Sequence, residues 1–173
     1  MKLFCRGVTL VMLLVASGAW AQARSSWIVY APKGPGFKIE LPMQPTMDSH
    51  SMKTTHGPAR ETWITFKGEN GLHGHIDVRD YEPKTIGKDP RGYLDESREF
   101  HETSRPLRSE SRFSIDGNPA QRFTMDTPDG RIARIQEVVV GDRFVSVVCF
   151  TPKGKDNSAD IDRILKSFAL TKS

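Results

Sequence analysis

The chain has 173 residues, 27% of them charged and 37% hydrophobic, with a formal net charge of +4. Although it is basic, no Lys/Arg cluster lies among interleaved aromatics, which excludes a nucleic-acid binder. Its two cysteines, Cys5 and Cys149, fall on either side of an expected leader cleavage, which excludes an internal disulfide in the processed chain.

Residues 1–23 have the three parts of a secretory signal. Lys2 and Arg6 give a positive start, Val8 to Val15 is an uncharged apolar run, and Ser17 to Ala23 supplies small residues. Cleavage after Ala21 or after Ala23 fits, with Ala23 preferred because Arg24 begins the polar chain. A membrane-spanning helix needs roughly 20 apolar residues, more than this run offers. A lipoprotein would carry a Cys just after the small residues, and the only early one is Cys5. Loss of Lys2 and Arg6 brings the charge to +2 and leaves residues 24–173, about the size of one domain with a real core. The expectation is a periplasmic or secreted protein with no transmembrane segment after cleavage.

Trp27–Tyr30 reads as a short strand, broken by the Gly/Pro turn 31–36. Phe37-Lys38-Ile39-Glu40-Leu41-Pro42 alternates as a half-buried strand. A weaker strand near 48–53 precedes clear strands at 59–66 and 72–81, joined by the turn-rich loop 67–71. In the 72–81 strand, Leu72, Gly74, Ile76 and Val78 share one face, and His73, His75, Asp77 and Arg79 the other. The loop 82–88 reads as polar and mobile, bordering a groove between the sheet and the first helix. A helix follows, capped by Asp89 with Pro90 in its first turn, its stripe formed by Tyr93, Leu94, Ser97, Phe100 and His101, ending near Thr103. Strands near 107–115, 120–127, 131–140 and 143–151, separated by turn signals, suggest an antiparallel meander. Ser158 caps a last helix with Ile161, Ile164, Leu165 and Phe168 on its apolar stripe. The class is α+β: an antiparallel sheet flanked by helices.

This order of elements, from Phe37-Lys38-Ile39-Glu40-Leu41-Pro42 with Pro45, through the Ile115-Asp116-Gly117-Asn118-Pro119 turn, to the closing Ile164-Leu165-Lys166-Ser167-Phe168, resembles the PsbP-like superfamily. Its members include an extrinsic photosystem II subunit, a eukaryotic Ran-binding factor and small exported bacterial proteins. The resemblance implies an α/β/α sandwich and a non-enzymatic binding or accessory role, and it maps no ligand set onto particular residues.

The sharpest local feature is His73-x-His75-x-Asp77. Strand alternation puts the three side chains on one face, which makes a partial zinc or copper set. The competing reading is a solvated polar strand face. His50 or His56 completes the set if their segment pairs alongside. His101 reads as a partly buried, satisfied histidine. Cys149, in an apolar strand, reads as a small core residue. Asp95, Glu96, Asp160 and Asp162 read as surface charges. Trp27, Trp63 and Tyr81 are candidates for a partner surface, or else fill the core. There is no Gly-x-Ser-x-Gly elbow, and no serine has a neighbouring His and acid. The leading expectation is an exported, non-catalytic binding or accessory protein of the bacterial envelope, acting on an envelope protein or small ligand. The alternatives are a metal protein using His73, His75 and Asp77, and a hydrolase, which would show a pocket holding a perturbed acid or histidine.

Overall fold

The computed structural model describes residues 27–103, 107–152, 154–155 and 157–171. The leader expected at 1–23 lies outside the described residues. Among those described, no helix is long and apolar enough to cross a membrane.

Two antiparallel sheets carry the fold. The small one pairs β1 (Ile28–Tyr30), β2 (Phe37–Leu41) and β10 (Ala169–Leu170) in the order β1-β2-β10. The large one contains β3 (Thr46–Thr54), β4 (Gly57–Lys67), β5 (His73–Tyr81), β6 (Leu107–Ile115), β7 (Asn118–Asp126), β8 (Arg131–Val140) and β9 (Arg143–Pro152). Its order is β3-β4-β5-β9-β8-β7-β6. Two meanders, β3 to β5 and β6 to β9, therefore meet in the middle at the β5–β9 pair. Strand polarity accounts for this order. β8 and β9 are buried along most of their length, whereas β3 and β6 are mostly exposed and form the edges. Charged edges such as Asp48, Lys53, Arg108 and Glu110 discourage pairing with a further strand. The β6–β7 hairpin turns on Asp116 and Gly117, both at positive φ (51° and 80°), as a tight two-residue hairpin requires.

Each face of the large sheet is covered differently. On one face, Phe37, Ile39 and Leu41 of β2 join Ile161, Ile164 and Leu165 of α2 (Ser158–Ser167) over Ile64, Ile76, Val78, Val145 and Val147. Cys149 lies in this cluster fully buried, as expected, and desolvation pushes its thiol up to about 12. Phe168 closes the end by stacking on Phe37, centroids 5.4 Å apart. On the other face lies a single helix, α1 (Pro90–Glu102), whose Tyr93 and Leu94 pack with Ala59, Tyr81, Val139 and Phe144. Phe123, Met125, Ala133, Ile135 and Val148 form a further cluster.

Several local expectations are corrected. Asp89 does cap α1, accepting from the Gly92 amide at 3.0 Å. The cap position of α2 is Asn157 rather than Ser158, and no side chain caps it. The Asn157 amide is spent on Thr151 Oγ1 at 2.9 Å instead. Phe100, placed on the buried stripe of α1 by its spacing, is 80% exposed, because the helix overhangs the sheet there. The loop 82–88 is pinned: the Asp142 carboxylate accepts four backbone N–H groups, from Lys84, Thr85, Ile86 and Gly87. These bonds hold the Asp142 carboxyl below its ordinary range, and Ile86 is buried beneath.

Gly74 sits across from Phe66 on the central β5, and the Phe66 ring lies over it. A Cβ there would come within 2.2 Å of the Val148 carbonyl and 2.5 Å of the Phe66 ring. Gly74→Ala is therefore expected to cost about 3 kcal/mol or more, and Leu165→Asp to abolish cooperative unfolding. Thermal and denaturant unfolding followed by circular dichroism check both; wild-type melting of either variant would contradict this packing.

Candidate functional site

Because α1 covers only part of its face of the sheet, a cavity of about 600 Å³ remains between them. Strand alternation builds its floor. Trp63 of β4, His75 and Asp77 of β5, Ser146 and Phe150 of β9, and Glu137 of β8 all point to the α1 side. Its roof is the α1 flank, with Tyr93, Ser97, Phe100 and His101. Its rim is the β3–β4 turn, where His56 reaches across to α1 and lies 2.8 Å from the Glu96 carboxylate. The His56 ring also rests on Tyr93, with centroids 5.0 Å apart.

The polar groups of the floor form two connected sets. In the first, Arg79 lies between two acids, 2.6 Å from Asp77 and 3.1 Å from Glu61. The His50 ring, on β3, lies 3.1 Å from the other oxygen of Glu61. Asp77 is 4% exposed, and its Oδ1 receives no hydrogen bond from any described residue. In the second set, Glu137 is wholly buried and accepts from Ser97 Oγ at 2.9 Å, Gln121 Nε2 at 2.7 Å and Ser146 Oγ at 3.4 Å. Gln121 also donates to the Leu94 carbonyl, so this set ties α1 to β7 and β8. The hydroxyls of Tyr81 and Tyr93 share a bond of 2.7 Å beside Arg79.

Burial sets the protonation of these groups. Desolvation raises Glu137 from 4.5 to about 7 against the pull of its three donors. Desolvation also raises Asp77 to about 7; the Arg79 guanidinium opposes this and the neighbouring Glu61 carboxyl adds to it. His75 moves the other way, to about 4, first through desolvation and then through the nearby His101, His73 and Arg79. Its neutral ring stacks on Trp63 at 4.0 Å.

The metal set expected at His73, His75 and Asp77 is not assembled. The three do share a face, as alternation required. However, His73 bonds the Gly71 carbonyl through Nδ1 at 3.0 Å, and its Nε2 accepts from Arg131, so neither ring nitrogen has a lone pair to give. Asp77 is tied to Arg79. His50 and His56, expected to complete the set, are held by Glu61 and Glu96. Among the described residues, no three His, Cys, Asp or Glu side chains come together in a group able to hold a metal ion. The alternative of a solvated polar strand face is also corrected, since Asp77 is buried.

The aromatic partner surface is not assembled either. Tyr81 is buried, Trp63 lines the cavity, and half-buried Trp27 lies apart beneath the Arg163 guanidinium, 4.2 Å from its ring centre. Of the expected surface charges, Glu96 latches the rim, and Asp162 pairs with Arg134 and Lys166. His101 is half-buried on the roof, 3.9 Å from Glu137. Glu61 and Glu137 are not singled out from sequence, and Tyr93 is placed only on a helix stripe. Gln136-Glu137 inside the apolar run 135–140 was the available signal, since a buried strand carries a carboxyl only where something engages it.

No family model matches the chain, and no curated protein matches it. Among solved structures, it is similar to the solution structure of cyanobacterial PsbP (CyanoP) from Synechocystis sp. PCC 6803, with a TM-score of 0.50 over 87% of this chain and 95% of that one. Identity is 10%, so the likeness is one of fold, and the fold is PsbP-like.

The buried acids and His75 impose opposite pH dependences. Glu137 and Asp77 are raised, so their contribution to stability is complete below about 4 and is lost as pH rises through about 7. His75 is lowered, so its contribution is complete above about 6.5 and is lost as pH falls through about 4. Glu137→Gln removes one acid, and its stability should gain on the wild type as pH rises from about 5 to 8, by up to roughly 1.4 kcal/mol per unit. Urea unfolding across that range checks this; a gap independent of pH would contradict it.

Proposed function

We propose that this is an exported, non-catalytic accessory protein of the bacterial cell envelope that holds a small ligand between α1 and the large sheet. The observation that carries the reading is the cavity: about 600 Å³, walled by Trp63, Phe144 and Phe150 with a few placed polar groups. Small-molecule sites have this size and this mixture of apolar walls and sparse polar anchors. A PsbP-like fold fits an accessory role. In this reading the leader is cut after Ala21 or Ala23 and residues 24–173 form one domain. Its layers form an α/β/α sandwich in which the small sheet shares a layer with α2.

A hydrolase is the second reading, favoured by the raised carboxyls of Asp77 and Glu137 inside a cavity. Two contacts weigh against it. The cavity hydroxyls of Ser97 and Ser146 are given to Glu137 rather than to an imidazole, and Glu137 is sealed from solvent. A serine nucleophile is activated by a base that can pass its proton on, usually a histidine.

Native mass spectrometry of the protein taken from its own cell envelope is expected to show a non-covalent small-molecule adduct, absent from Met52→Trp, which fills the cavity mouth. Ester hydrolysis should stay at the buffer rate in both. A clean apo mass in the wild type would count against ligand binding, and hydrolysis abolished by Glu137→Gln would establish the second reading.

A further inference from the structure

We infer that the cavity ligand is an uncharged alcohol or phenol with an apolar body, and that the edge of the His75 ring is its hydrogen-bonding anchor. The inference rests on the ligand-binding reading above and specifies its chemistry. The charges around the cavity answer one another. Arg79 lies between Asp77 and Glu61, at 2.6 and 3.1 Å. Glu96 faces His56 at 2.8 Å across the rim. Glu137 accepts from Ser97, Gln121 and Ser146, with His101 3.9 Å away on the roof. A charged ligand entering here would give up its hydration and meet no unpaired counter-charge to replace it.

The second, independent observation is His75 itself. Its ring is half-buried in the cavity wall between Trp63 and Phe150, with centroids 4.0 and 5.8 Å away. Stacking on Trp63 fixes the plane of the imidazole and leaves its edge as the part a ligand can meet. No described residue hydrogen-bonds either ring nitrogen, and both nitrogens keep accessible surface, whereas Oδ1 of Asp77 is sealed. Desolvation and the neighbouring His101, His73 and Arg79 hold the ring neutral. A neutral imidazole offers one N–H donor and one lone pair. A hydroxyl answers either of them, so it can bond whichever nitrogen faces the cavity, while a carboxylate or an ammonium answers only one. The body of the ligand has aliphatic wall to lie on, from Met52, Ile135 and Val148. Burial of that body supplies affinity, and the single bond to His75 supplies orientation.

The test uses one body with four end groups: naphthylmethanol, methylnaphthalene, naphthylmethylammonium and naphthoate. Each is titrated into the purified protein and followed by NMR with the histidine ring nitrogens labelled. The alcohol is expected to bind about five- to tenfold tighter than the hydrocarbon, and tighter than either ion, and to move the His75 ring nitrogen resonances as it binds. In His75→Phe, which keeps the stacked ring and removes its nitrogens, the alcohol should fall to the level of the hydrocarbon, while the hydrocarbon is unchanged. If the hydrocarbon or either ion matches the alcohol in the wild type, the inference is overturned and the cavity reading stands. If none of the four binds, both fall together. The wild-type series decides the matter even where His75→Phe fails to fold.

Discussion

One geometric constraint governs the molecule: a single short helix has to cover a wide sheet. Thirteen residues of α1 span about 20 Å, and seven strands span about 29 Å from edge to edge. The opposite face has no such shortage, because α2 and the three-stranded sheet share the work there and leave a continuous apolar core. On the α1 side the chain meets the deficit in two ways. Near the start of the helix, Tyr93 and Leu94 close directly onto the strands. Toward its end the helix overhangs, Phe100 projects outward, and the space beneath is lined with aromatic rings and a few engaged polar groups.

The buried polar groups follow from that arrangement. A carboxyl such as Glu137 survives at the centre of a sheet only with donors on every side, and Ser97, Gln121 and Ser146 supply them. The same bonds fasten α1 to β8 and fix how far it stands from the sheet. The Glu61–Arg79–Asp77 chain does the equivalent for β4 and β5, and His56 with Glu96 ties the β3–β4 turn to the helix. The cavity is thus held open by bonded polar struts and is not a packing fault.

Much of the fold was legible in the residues. Period-two alternation in Phe37–Leu41 and His73–Tyr81 and the turn signals between residues 115 and 143 placed the strands to within a few positions. Pairing across long separations was not legible. Nothing local in β5 says that it lies beside β9, or that β2 leaves the main sheet to pair with β10, since those choices rest on how whole faces cover one another. The site shows the same division. Alternation correctly put His73, His75 and Asp77 on one face, but it could not show that Arg131 and Arg79 occupy two of them. It also could not show that a helix further along the chain roofs the third. A groove between sheet and helix is expected from the loop 82–88, but which side chains line it depends on two distant segments and could not be read from either.

The most direct test is a high-resolution crystal structure of the free protein, read in the space between α1 and the large sheet. The account predicts ordered solvent or ligand density there. Trp63, Phe100 and Phe150 collapsed together to fill that volume, with α1 seated flush on β8 and β9, would contradict it.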